Sequence, residues 1–265
     1  MSAIYEVFAL RYARGDGRKR YQNFSSLNLD ADRNFNDPMP LDFYVWLICG
    51  NGKTILVDTG FGHKEAARRG RTIDQTPADC LRRMDVDPAN IKDVVLTHLH
   101  FDHAGTMPDF PNATFHLQEE EMVVATGKYM GIAEYTYPFS ADVICDAVRA
   151  VYAGRVNFLN GDVELAQNIT LHKVGGHSAG LQVVRVLTRR GWMVLASDAV
   201  PYYENLSARN PFTLVYNMPD MHLAFRTVEQ LADAPDLVIP GHDRQVIERH
   251  QPVRPELSHM AVRLD

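Results

Sequence analysis

The chain has 265 residues, 46% of them hydrophobic, and a formal net charge of -6, the makeup of a folded globular protein rather than a disordered one. The charge is spread along the chain, so neither a nucleic-acid-binding stripe nor a basic membrane-binding face is expected. No run approaches the roughly 18 apolar residues of a membrane span, and the odd, widely spaced Cys49, Cys80 and Cys145 argue against a disulfide framework.

Residues 5–10 read as a first strand. Glu6 and Arg11 interrupt this apolar stretch, so no secretory leader is expected, and with the cysteines read as buried thiols a reducing cytoplasm is the expected setting. Gly15 and Gly17 turn the chain back, making residues 11–20 a solvated hairpin that leads to a second strand near 21–27. Residues 28–40, rich in Asp, Asn and Pro, are loop-like. Residues 43–49 and 54–57 form a hairpin about Gly50-Asn51-Gly52 and end at Asp58-Thr59-Gly60. Thr76 and Pro77 supply the N-cap and first position of a helix reaching about Met84.

The apolar Val94-Val95-Leu96 then feeds Thr97-His98-Leu99-His100-Phe101-Asp102-His103. Three imidazoles and a carboxylate packed so closely would repel and desolvate one another unless a cation held them. Metal binding is the reading. Imidazole and carboxylate without thiolate suit zinc, with iron or manganese as alternatives.

Further on, 115–117 is a short strand and 118–126 a helix stopped by Gly127, while 129–139 is irregular and aromatic. Ser140 caps a helix in which Val143, Ile144, Ala147, Val148 and Val151 recur at helical spacing up to Gly154. Residues 156–159, 169–174, 181–187 and 193–196 read as four strands of a second β-rich half, followed by a helix over 219–234 and a strand over 236–239 before Pro240-Gly241-His242. No linker or low-complexity segment interrupts the chain, so a single domain over 1–265 is expected.

Apolar strands repeatedly end in a polar group: Asp58, the histidine stretch, Gly176-His177, Asp198 and Gly241-His242. Loops held by a rigid sheet are where sites are built. His98, His100, Asp102, His103, His177, Asp198 and His242 make seven candidate ligands, more than one tetrahedral zinc can use, so two metals are implied, each with three terminal ligands and one carboxylate left to bridge. His63, His116, His172, His222, His250 and His259 lack such a context and are assigned to packing or the surface.

These residues carry a resemblance. His98-Leu99-His100-Phe101-Asp102-His103-Ala104-Gly105, with Leu56-Val57-Asp58-Thr59-Gly60 upstream and Gly176-His177, Asp198 and Gly241-His242 downstream, resembles the metallo-β-lactamase superfamily over about residues 41–243. The resemblance implies an α+β fold, an αββα sandwich of two mixed β-sheets flanked by helices, with a dinuclear metal centre at one edge. It also implies that His98, His100 and His177 hold one metal, Asp102, His103 and His242 the second, and that Asp198 bridges, while Asp58 braces the histidine loop from behind.

Within the superfamily the N-acyl-homoserine lactonase-like group is most similar, from the single-domain length, the Asp58-Thr59-Gly60 context, Asn160-Gly161-Asp162 before the Gly176-His177-Ser178-Ala179-Gly180 loop, and Asp198. One position departs from that group. Its tyrosine three residues after the bridging Asp is Pro201 here. Tyr202, shifted by one residue, is then the candidate to support the substrate carbonyl, with Tyr203 lining the pocket.

The expected activity is that of a metal-dependent hydrolase with two zinc ions, opening a lactone or related ester by hydroxide attack, with Asp102 returning the proton to the leaving alkoxide. A glyoxalase II-like thioesterase or a phosphodiesterase on the same site is the alternative, and a non-catalytic metal-binding or sensing protein the alternative of another class. Aromatic walls are expected from residues 129–139, 202–216 and 43–46, which points to a partly apolar small-molecule substrate. Residues 5–10 or 11–20 offer a contact for a homodimer.

Overall fold

In the computed structural model, which describes residues 3–26 and 34–265, the chain opens with two long antiparallel strands, β1 (Glu6–Gly15) and β2 (Leu41–Gly50). A tight turn through Asn51 and Gly52 returns it along β3 (Lys53–Val57). There follow α1 (His63–Arg69), β4 (Thr72–Ile73), α2 (Pro77–Arg83), β5 (Asp93–Val95), α3 (Phe101–Ala104) and β6 (Thr114–Gln118). Next come α4 (Glu119–Ala125), α5 (Ala133–Thr136), α6 (Ala141–Tyr152), β7 (Val156–Leu159), β8 (Val163–Ala166), β9 (Ile169–Lys173), β10 (Gln182–Thr188) and β11 (Gly191–Ser197). The last elements are α7 (Tyr203–Ser207), α8 (Met218–Leu231), β12 (Val238–Pro240), α9 (Gln245–Arg249), β13 (Gln251–Pro252) and β14 (Ala261–Arg263).

Two mixed sheets result. One has the order β13-β14-β1-β2-β3-β5-β6-β7, with β4 also paired to β1, and the other β12-β11-β10-β9-β8. Neighbours from β3 through β5 and β6 to β7 are parallel, as are β11 and β12.

The period-two alternation of the strands sets the layers. On β2, Tyr44, Trp46 and Ile48 point between the sheets, while Val45 and Leu47 face the outer helices. On β11, Met193 and Leu195 meet them from the second sheet, and Val194 and Ala196 turn outward onto Ala224, Phe225 and Val228 of α8. The opposite outer layer is α2 and α6, whose Leu81, Val143, Ile144 and Ala147 cover Leu56, Val94 and Phe115. The fold is thus an αββα sandwich of two mixed sheets. Both faces of β2 are covered, which is why it reads as an unbroken apolar run.

The Gly50-Asn51-Gly52 hairpin and the Thr76 cap form as expected, the Thr76 hydroxyl accepting from Asp79 N at 3.2 Å. Elsewhere the structure corrects the sequence reading. Residues 20–22 form a short 3-10 turn where a strand was expected, and Leu27, like residues 28–33 of the expected loop, lies outside the described residues. The basic stretch 11–20 is not a solvated hairpin either. β1 continues to Gly15, and the Arg11 guanidinium pairs at 2.9 Å with a fully buried Asp42. β1 lies between β14 and β2, so residues 5–10 present no free strand edge for a second copy. β7 joins β6 in the first sheet rather than the second β-rich half. Of the cysteines only Cys80 is buried; Cys49 is half-buried and Cys145 exposed. Among the described residues no helix is long and apolar enough to cross a membrane.

Candidate metal centre

The polar groups gather where β3, β5, β9, β11 and β12 end. Asp58 follows β3 with φ of 63°, beside the parallel β5. Its Oδ1 accepts from the backbone nitrogen of Thr97 at 2.7 Å, and its Oδ2 lies 2.7 Å from His103 Nδ1. One buried carboxylate thereby ties the end of one strand to the histidine loop of the next. His177 Nδ1 donates to the Leu214 carbonyl and His242 Nδ1 to the Asp42 carbonyl, each at 2.9 Å. Because a carbonyl only accepts, both rings carry their proton on Nδ1 and leave an Nε2 lone pair facing inward. Glycine makes two of the loops possible. A Cβ on Gly176 would stand 2.6 Å from Met221 N, at φ of +88°, and one on Gly241 would stand 2.7 Å from the Ser197 carbonyl oxygen.

The inward ends converge. Nε2 of His98 and Nε2 of His177 lie 2.9 and 3.0 Å from His100 Nδ1. His98, His100 and His177 make one group whose ligand atoms fall within 4.8 Å of one another, and Asp102, His103 and His242 make another. Asp198 reaches both: its Oδ2 is 3.0 Å from His177 Nε2, and its Oδ1 is 2.9 Å from His242 Nε2. All seven residues singled out from the sequence are brought together. Yet Asp198 Oδ1 and His103 Nε2 are buried without a hydrogen-bond partner among the described residues, a costly state unless a cation completes it. Five imidazoles and two carboxylates with such orphaned lone pairs fit a divalent metal.

Protonation is skewed in a way that suits this. Burial, reinforced by neighbouring histidines, holds His98 and His100 well below the usual imidazole range, so both are neutral. Burial also opposes charge on His103, but Asp198, Asp58 and Asp102 outweigh it and raise the ring to about 10. His242 is raised in the same sense, chiefly by Asp198, against its burial. Asp198 resists burial and stays well below the usual carboxylate range because His242, His177 and His103 surround it. The carboxylates thus favour positive charge at His103 and His242, the place a cation would take, and a metal bound there would displace any proton from the inward nitrogens.

A family model described as the metallo-beta-lactamase superfamily matches residues 41–242, from the start of β2 to the last of these histidines. The chain belongs to the metallo-beta-lactamase superfamily. It is 28% identical over 237 residues to N-acyl homoserine lactonase AiiB of Rhizobium rhizogenes, covering 78% of this chain and 80% of that protein. Among solved structures it resembles a quorum-quenching N-acyl homoserine lactone lactonase, with 20% identity, coverage of 95% and 97% of the two chains, and a TM-score of 0.77. It also resembles AidC, a dizinc quorum-quenching lactonase in complex with a product, with 17% identity, coverage of 91% and 89%, and a TM-score of 0.68. At these identities the two solved structures speak for the superfamily fold.

The two tyrosines after Pro201 are not brought to the ligands. Tyr202 is buried, and its hydroxyl donates to the Pro40 carbonyl at 3.1 Å. Tyr203 lies under the Arg249 guanidinium at 4.1 Å and lines a surface depression with Glu204 and Asp236. Y202F is therefore expected to cost about 1 kcal/mol of stability in denaturant unfolding and to leave kcat near the parent value. A large fall in kcat at unchanged stability would return this hydroxyl to the reacting centre.

Sequence reasoning missed Glu121 and Asp42. Glu121 is buried and accepts from Leu99 N, the Ser178 hydroxyl and Gly180 N at 2.9, 2.7 and 2.6 Å, bracing two ligand loops at once. Asp42 is fixed by Arg11 and Arg244 while its carbonyl orients His242. The available signal for Glu121 was its helical spacing from the apolar Ala125; Asp42 offered none.

His100, Asp102, His177, Asp198 and His242 line a cavity of about 140 Å³ together with Phe43, Phe101, Phe212 and Leu214. A second cavity, of about 290 Å³, meets it at His100 and His177 and is walled by Tyr135, Phe139, Val215 and Tyr216. The aromatic segments therefore contribute walls as expected, except that Trp46 is buried between the sheets.

Proposed function

We propose that this metal-dependent hydrolase opens lactones or closely related cyclic esters, with two zinc ions as its cofactor. The observation that carries the reading is the complete set of seven ligand groups at a cavity floor, in a superfamily member 28% identical to an N-acyl homoserine lactonase. His98, His100 and His177 would hold one ion and Asp102, His103 and His242 the other, with Asp198 shared. Bound there, the ions supply hydroxide at neutral pH and Lewis-acid polarisation of a carbonyl.

The chain's own residues account for the rest. Asp58, Leu214 and Asp42 hold the rings of His103, His177 and His242, so the ligand set is preorganised. Phe43, Phe101 and Phe212 narrow the approach and exclude bulk water. Asp102 takes the proton released as the hydroxyl adds to the carbonyl carbon and delivers it to the ring oxygen when the acyl C–O bond breaks. The product is a hydroxy acid.

Metal analysis by mass spectrometry, alongside turnover of a lactone, thioester, phosphodiester and β-lactam panel, tests this. Two zinc ions per chain with lactones turned over best is the expected result. A thioester or phosphodiester preference would reassign the reaction, and two metals with no turnover of any class would favour a metal-binding or sensing role.

A further inference from the structure

Three guanidinium groups line the same cavity as the ligands: Arg18, Arg69 and Arg71. Arg69 is fully engaged, with Glu65 at 2.9 Å, the carbonyls of Tyr137 and Phe139 at 2.8 and 2.9 Å, and the Phe101 ring 3.7 Å from its Cζ. The other two have no carboxylate partner among the described residues. Arg18 spends Nε on the Asn23 side chain and Nη2 on the Gln22 carbonyl and, at 3.4 Å, the Thr213 hydroxyl, all of them neutral. Its Nη1 donates to nothing among the described residues. Arg71 makes no side-chain hydrogen bond there, and its Nε is buried without a partner.

Both charges stand close to the reacting centre. Arg18 lies 4.8 Å over the Phe212 ring, which packs at 6.4 Å on His177. Arg71 lies 5.9 Å over Phe43, which packs at 5.2 Å on His242. Each guanidinium is thus one aromatic ring away from a histidine of the candidate metal centre, and both line the same cavity. Burial, with Arg71 adding repulsion, pushes Arg18 below the usual guanidinium range. Half-buried positive charge without a counter-ion is costly in the free protein, and an anion that accepts from both groups removes the cost. A neutral acyl chain would leave it in place.

We propose that Arg18 and Arg71 form an anion-recognition pair, so that the substrate is a lactone bearing a carboxylate outside the ring, with its apolar part directed into the cavity walled by Tyr135, Phe139 and Tyr216. The proposal rests on the lactonase reading for the position of the ring, and on the two arginines alone for the sign of the charge.

The test uses zinc-loaded protein and homoserine lactones acylated with succinyl, glutaryl or adipoyl groups, each beside its terminal carboxamide. Wild-type protein is expected to favour the carboxylate over the amide by roughly 10- to 100-fold in kcat/KM at one or more chain lengths, mainly through KM. In R18Q/R71Q that ratio falls to near one, and R71K keeps part of it because an ammonium retains the charge without the bidentate fork. Parity of acid and amide across the wild-type series, or an unchanged ratio in R18Q/R71Q, would overturn the proposal.

Calorimetric binding of the matching γ-lactams, which are not opened, separates the two readings. No lactone turnover with carboxylate-selective lactam binding would sink the lactonase reading and keep the anion pair. Lactone turnover with no selectivity in either assay would do the reverse.

Discussion

Replacing Asp102 with Asn is expected to lower kcat by roughly 10²- to 10⁴-fold and leave KM nearly unchanged, in protein that mass spectrometry shows to be fully metal-loaded. Asp102 is more open to the cavity than the carboxylate it works beside: its side chain is 12% exposed against 6% for Asp198. Its backbone carbonyl accepts from the Tyr12 hydroxyl at 2.9 Å, which fixes the turn, and the residue lines the cavity. An amide keeps the size and one donor oxygen but cannot carry a proton to the leaving alkoxide. An equal fall in kcat and kcat/KM marks a group used only in the transition state. A variant that has lost one metal would instead make Asp102 chiefly a ligand, and near-normal hydrolysis by the loaded variant would remove its proton-carrying role.

The candidate metal-holding groups were legible because their signal is local. His98 to His103 is a cluster that a protein interior does not tolerate without a cation, and His177, Asp198 and His242 each sit where an apolar run stops. The sheets were legible in part, since β2, β10 and β11 are long apolar runs, but β7 belongs with β6 through hydrogen bonds to a segment some forty residues earlier in the chain. β13 and β14 are too short to show a period of two; β14 forms because β1 offers it an edge, and β13 because β14 then offers the next one. Arg11 looked solvated because its partner Asp42 is distant in sequence. Tyr202 shows the limit of reading by offset. It is one residue from the lactonase tyrosine position, but it caps α7 and turns its hydroxyl to Pro40. Glu121 was hidden in Glu119-Glu120-Glu121, a run that composition assigns to a solvated face; only the first two are exposed.

Glu121→Gln is expected to loosen the first histidine group without touching a ligand. Leu99 lies between His98 and His100, and Ser178 follows His177, so the single buried carboxylate clamps both loops that carry this group. Its two oxygens divide the work: Oε2 accepts from Leu99 N, and Oε1 from Ser178 and Gly180 N. Glutamine has one acceptor. Whichever way its amide is turned, an NH₂ meets the backbone N–H of Leu99 or of Gly180, and one buried donor loses its partner. That costs about 1–3 kcal/mol, which at roughly 2–4 °C per kcal/mol for a chain of this size lowers Tm by several degrees. Metal affinity should fall roughly 10- to 100-fold, read by competition with a chelator, and at limiting metal one ion per chain should remain, held by Asp102, His103 and His242. A lower Tm with unchanged metal affinity would make Glu121 a packing residue only, because a clamp on two ligand loops cannot be weakened without weakening the ligands' hold.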